Sequence, residues 1–145
     1  MAGELDALPE MHTVIFACVH NAGRSQIAAA YFNLLADPAC AVALSAGTAP
    51  GGQVHPEVVR VMREEGIDLS TAQPTLLTYE MAQAAQLLIT MGCGERCPVV
   101  PGLARDDWPV PDPKGQPLEA VRAIRDGIRE RVVGLLVARG WVRED

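Results

Sequence analysis

Residues 13–36 read TVIFACVHNAGRSQIAAAYFNLLA, and this run restricts the fold more than any other part of the 145-residue chain. Residues 12–17 form a short apolar segment rich in β-branched side chains and bounded by turn-formers, which predicts a buried strand. Residues 25–36 are rich in helix formers, with Ile27, Ala30, Tyr31, Leu34 and Leu35 at helical spacing. Only a small, polar loop joins the two. A strand that turns so tightly into a helix is the first half of a βαβ unit, and it commits the chain to a parallel sheet.

The rest of the chain continues the alternation. Residues 41–46, AVALSA, predict a second strand closed by Gly47. Residues 55–65 predict a helix with Pro56 in its first turn, Val58, Val59 and Met62 on one face, and Gly66 as its C-terminal cap. A short helix over 79–85 precedes a third strand, residues 87–91. Residues 92–114 are rich in Gly, Pro and Cys and predict mostly loop, with a short strand near 104–108. The longest helix is expected over 117–139, with a stripe of Leu118, Val121, Ile128, Val132 and Leu135 ending at Gly140. The expectation is an α/β fold with a single domain: a four-stranded parallel sheet flanked by helices on both faces, spanning residues 12–145. Residues 1–11 form an N-terminal extension.

The formal charge of −6 argues against an extended nucleic-acid footprint. No window is long and apolar enough for a membrane span, and the acidic start MAGELDALPEMH does not read as an export signal. A cytoplasmic protein is the expectation, and its four cysteines are then read as thiols for redox, metal or nucleophilic chemistry before structural disulfides.

The loop Cys18-Val19-His20-Asn21-Ala22-Gly23-Arg24-Ser25 has the parts of an oxyanion site. A loop wrapping from strand to helix points backbone N–H groups at one centre. Gly23 and Asn21 allow backbone shapes that most residues resist, and the helix adds its positive end. Arg24 supplies a planar fork of donors for a tetrahedral anion, and the same field stabilises a thiolate at Cys18. Ser25 is placed to donate to that sulfur. The plainer alternative, a buried cysteine and a surface arginine, accounts for the bare spacing but not for the strand, loop and helix around it.

The run VIFACVHNAGRSQIAAAYFN resembles the phosphate loop of the low-molecular-weight tyrosine phosphatase superfamily, and CVHNAGRSQ is closer to its arsenate reductase branch. The resemblance continues through SAGT (45–48), TMGCGERCPVVPG (90–102) and DWPVPDPKG (107–115) in the same order. It implies an oxyanion site formed by Val19, His20, Asn21, Ala22, Gly23, Arg24 and Ser25, with Cys18 and Arg24 catalytic. It also implies that Asp112 is a general acid. By itself an Asp-Pro pair also opens turns, and both uses are compatible.

Cys93 and Cys97 separate the branches. A phosphatase needs one cysteine, whereas a reductase must supply two electrons. The resemblance implies a relay in which Cys18 attacks arsenate, Cys93 attacks Cys18 as arsenite leaves, and Cys97 attacks Cys93. The resulting disulfide passes to an external reductant, with thioredoxin expected and mycothiol with a mycoredoxin as the alternative. A zinc site is disfavoured because no second ligand pair stands at suitable spacing. No tightly bound cofactor or metal is expected: the positions matching the carboxylate ligands of a potassium site in some relatives are Ala29 and Thr75. A phosphotyrosine or small-phosphoester phosphatase, and a non-catalytic oxyanion or redox module, are the competing functions. Cys40 is read as a bystander, His12 as a strand edge, His55 as a helix start, and Arg122, Arg125, Arg129 and Arg131 as a solvated helix face.

Overall fold

The computed structural model describes residues 11–92 and 100–143. Most of the N-terminal extension, and the loop bearing Cys93 and Cys97, lie outside the described residues. Four strands, β1 (His12–Cys18), β2 (Ala41–Gly47), β3 (Leu87–Thr90) and β4 (Ala104–Asp107), form one sheet in the order β2-β1-β3-β4. All three pairings are parallel. The helices are α1 (Arg24–Leu35), α2 (Pro56–Arg63), α3 (Tyr79–Ala84) and α4 (Leu118–Arg139). Parallel register puts Cys18 opposite Gly47 and Ala17 opposite Thr90, so the strands end on one edge of the sheet. No helix among the described residues is long and apolar enough to cross a membrane.

The two-residue period of β1 divides the core. Val14, Phe16 and Cys18 belong to a large cluster that takes in residues of α1, α2 and α4. Ile15 and Ala17 face a smaller cluster of Ala46, Leu77, Ala85 and Leu88, on which Met81 of α3 packs. Both faces therefore carry helix, as expected, but unequally.

Two expected helical stripes hold only in part. On α1 the fully buried apolar residues are Ile27, Ala28, Tyr31 and Phe32, while Leu34 is exposed. The helix lies between the sheet and α4, so its buried side is set by the 27–31 and 28–32 spacings. On α4 Val121, Ile128 and Val132 are buried as expected, joined by Arg125 and Leu136, while Leu118 and Leu135 are half-buried.

Arg125 thus corrects the reading of a solvated helix face, because it is only 8% exposed. Its guanidinium donates to Val61 O at 2.8 Å, Glu64 Oε1 at 2.9 Å and Asp126 Oδ1 at 2.8 Å. Arg122 adds donors to Glu64 at 2.8 to 3.2 Å. The hydrogen bonds from Arg122, then those from Arg125, lower the Glu64 carboxyl from 4.5 to about 2. A carboxylate lowered on folding stabilises the native state above its unfolded value, and that contribution is lost as pH falls through the folded one. The melting temperature of wild type should exceed that of Glu64→Gln near neutrality, the gap closing as pH drops from 4.5 toward about 2. A gap constant across that window would show that the clamp acts through packing instead.

Candidate active site

The loop after β1 is shaped from outside by carbonyl acceptors. The oxygens of Cys18, Val19, His20 and Ala22 accept from the N–H groups of Thr48, Ala49, Gly51 and His55 at 2.8 to 3.3 Å. With these carbonyls engaged, no backbone N–H of residues 19–25 donates to a protein acceptor among the described residues. Orphan donors at a helix N-terminus around a buried sulfur form an anion cup. Asn21 has φ 52°, the left-handed geometry expected of it. Gly23 does not, with φ −145°. Its missing side chain serves close approach instead: a Cβ there would lie 2.9 Å from Pro113 Cγ.

Cys18, 3% exposed, has Ser25 Oγ 2.8 Å from its Sγ. The direction of that bond follows from the chain of donors behind it. The Thr75 N–H donates to Asn21 Oδ1 at 2.9 Å, and Gln26 Nε2 donates to the same oxygen at 3.2 Å and to Asn21 O at 3.1 Å. The Asn21 amide therefore presents Nδ2 to Ser25 Oγ, at 2.7 Å. Ser25 Oγ accepts there, leaving its hydroxyl proton for Cys18 Sγ. Asn21 Oδ1, the oxygen that a nearby cation would need, already accepts from two N–H donors.

Arg24 is the first residue of α1. It is 13% exposed, its Nη1 donates to Val110 O at 3.0 Å, and its Nη2 stands 3.9 Å from Asp112 Oδ2. The Asp112 carboxylate is half exposed and its Oδ1 accepts from the Lys114 N–H at 3.0 Å. The Asp-Pro pair thus opens a turn and also places a carboxyl beside the arginine. Trp108 anchors the same loop, with its backbone N–H on Thr90 O at 2.8 Å and its ring 5.5 Å from that of Phe16. A cleft of about 460 Å³ lined by Gly92, Asp107, Pro109, Val110 and Pro111 adjoins this side.

Of the residues singled out from sequence, Cys18, Asn21 and Ser25 form one hydrogen-bonded group and Arg24 pairs with Asp112, with Gly23 against Pro113 linking the two loops and Val19 and Ala22 contributing backbone. His20 is exposed and bonds Ala49 O through Nδ1 at 3.0 Å. Cys93 and Cys97 lie outside the described residues. Cys40 stands apart as expected, and burial and the Asp37 carboxylate push its thiol up. Sequence reasoning passed over Gln26, Gly47 and the Val110 carbonyl. Only Gln26 had a signal, its place directly after Arg24 and Ser25. Among the described residues no group of three or more His, Cys, Asp or Glu side chains is placed to hold a metal ion.

The profile of the low molecular weight phosphotyrosine protein phosphatase family matches residues 13–144, and the chain belongs to that family. A provisionally named arsenate reductase of Halobacterium salinarum is 40% identical over 83% of this chain and 87% of its own. The glutaredoxin arsenate reductase of Synechocystis is 33% identical over 87% of this chain and 97% of its own. Among solved structures, the Corynebacterium glutamicum thioredoxin-dependent arsenate reductase superposes with a TM-score of 0.77 at 36% identity. That match covers 94% of this chain, which spans 65% of the length of the Corynebacterium chain.

Proposed function

We propose that the protein reduces arsenate to arsenite, with Cys18 as nucleophile, Cys93 and Cys97 as the source of two electrons, and thioredoxin as the regenerating reductant. The observation that carries this reading is the loop after β1, whose backbone N–H groups at residues 19–25 have no protein acceptor among the described residues, with Ser25 Oγ on Cys18 Sγ and Arg24 paired to Asp112. Such a cup binds a tetrahedral oxyanion and aims the sulfur at its central atom. The names of the relatives support arsenate as that oxyanion, and two further thiols at residues 93 and 97 favour reduction over hydrolysis.

The chemistry balances as follows. Cys18 thiolate forms a bond to arsenic, and a hydroxyl leaves as water with the proton of Asp112. Cys93 thiolate then attacks Cys18 Sγ. The S–As electron pair stays on arsenic, which departs as arsenite, leaving a Cys18–Cys93 disulfide. Cys97 thiolate attacks Cys93, restores Cys18 as thiolate and leaves a Cys93–Cys97 disulfide. Thioredoxin dithiol reduces that bond and becomes oxidised. Gly92, the residue before Cys93, lies against Arg24, which supports the reading. The amides, Arg24 and the Ser25 hydroxyl stabilise Cys18 both as attacking thiolate and as leaving group.

A coupled assay with arsenate, thioredoxin, thioredoxin reductase and NADPH tests the reading. Turnover should vanish in Cys18→Ser and in Cys97→Ser and persist in Cys40→Ser. Turnover of Cys97→Ser restored by mycothiol or glutathione would replace thioredoxin by a small thiol. Hydrolysis of an aryl phosphate with no arsenate turnover would move the protein to the phosphatase reading.

A further inference from the structure

Gly92 stands where β3 gives way to the segment of Cys93. The residue before it is tied to the sheet, because the Met91 N–H donates to Ala17 O at 2.7 Å and Met91 is fully buried. Gly92 itself has φ +98°, and a Cβ built on it would lie 2.5 Å from Arg24 Nη1, 3.1 Å from Cζ and 3.3 Å from Nη2. The guanidinium thus occupies the space a side chain at residue 92 would take. Across the group, Val110 O and Asp112 hold it from the other loop.

We propose that Gly92 is a positioning residue for the oxyanion site: its bare backbone is the seat that lets the Arg24 fork stand at the mouth of the cup. The proposal rests on the reading that residues 18–25 bind a tetrahedral oxyanion. Any side chain at residue 92 must move something, and the tip of an arginine moves more easily than two anchored strand ends. The fork is then turned away from the anion while the sheet and cup persist.

Calorimetric titration of the reduced full-length protein with inorganic phosphate tests this without requiring arsenate chemistry. Gly92→Ala is expected to weaken phosphate binding about tenfold or more, the loss of one charge-assisted fork. Gly92→Asn, which tolerates positive φ better, should show the same loss. Gly102→Ala is the control for backbone strain, since Gly102 has φ +84° with nothing within 4 Å of its Cβ position. It should lower the melting temperature as Gly92→Ala does and leave phosphate affinity intact. In an Arg24→Lys background, which lacks the planar fork, Gly92→Ala should change affinity by less than about twofold. Wild-type affinity in Gly92→Ala, or an equal loss in both backgrounds, overturns the proposal while leaving the oxyanion site standing. A wild type that binds no phosphate overturns both.

Discussion

Arg24→Ala is expected to lower kcat/KM for arsenate by about a thousandfold, the upper range for deleting one pre-aligned donor at an oxyanion. The side chain has two duties that no neighbour duplicates. In the proposed function its fork serves the anion bound by residues 19–25, and a fork makes two parallel charge-assisted bonds where a point charge makes one. It also ties the loop of Asp112 to the cup through Val110 O at 3.0 Å and the carboxylate at 3.9 Å. Truncation removes the anion contact and releases the proposed acid together, so kcat and KM should both suffer. Arg24→Lys should recover only a small part, because an ammonium cannot hold Val110 O and face the anion at once. Steady-state kinetics with phosphate as competitor provide the measurement. A loss under about tenfold would mean that the anion does not bind in this cup.

Gly47→Ala should damage both stability and activity. A Cβ at Gly47 would lie 2.6 Å from Val19 O, 2.9 Å from Asn21 N and 3.0 Å from Asn21 Cβ. Two of these are backbone atoms of the loop, which cannot swing aside as a long side chain does. Gly47 is also held on both its polar groups, donating to Thr75 O and accepting from the Leu77 N–H, each at 2.8 Å. Overpacking of this kind costs about 1–3 kcal/mol, and here the displaced atoms belong to the segment of Asn21, whose Nδ2 donates to Ser25 Oγ and so leaves the Ser25 hydroxyl for Cys18. Urea denaturation should reveal the lost stability, and alkylation of Cys18 the disturbed cup. Gly51→Ala is the paired control, its nearest contact being His20 O at 3.8 Å. If Gly47→Ala behaves like Gly51→Ala, the loop is more compliant than these distances imply.

The legible part of the site was its local part. Cys18, Arg24 and Ser25 share one strand–loop–helix segment, and their arrangement follows from short-range geometry that a sequence states directly. Asp112 was legible through its proline neighbour and the resemblance, although its approach to Arg24 is a contact across the fold. Gln26 was visible as a residue but not as a role, since its use depends on where Asn21 and the 73–75 segment come to rest. Gly47 and Gly92 are two among 13 glycines, and nothing adjacent in sequence distinguishes them.

By itself the sequence determined the alternation of strands and helices, and with it a parallel sheet whose strand ends carry a thiol and a fork of donors. Periodicity and turn chemistry act over a few residues, so they are written in the order of the chain. Tertiary structure alone decided which side of α1 is buried, that Arg125 lies inside, and which glycines must stay bare. Those outcomes depend on which surfaces meet when distant segments pack, and steric exclusion and desolvation act on neighbours in space, whatever their separation along the chain.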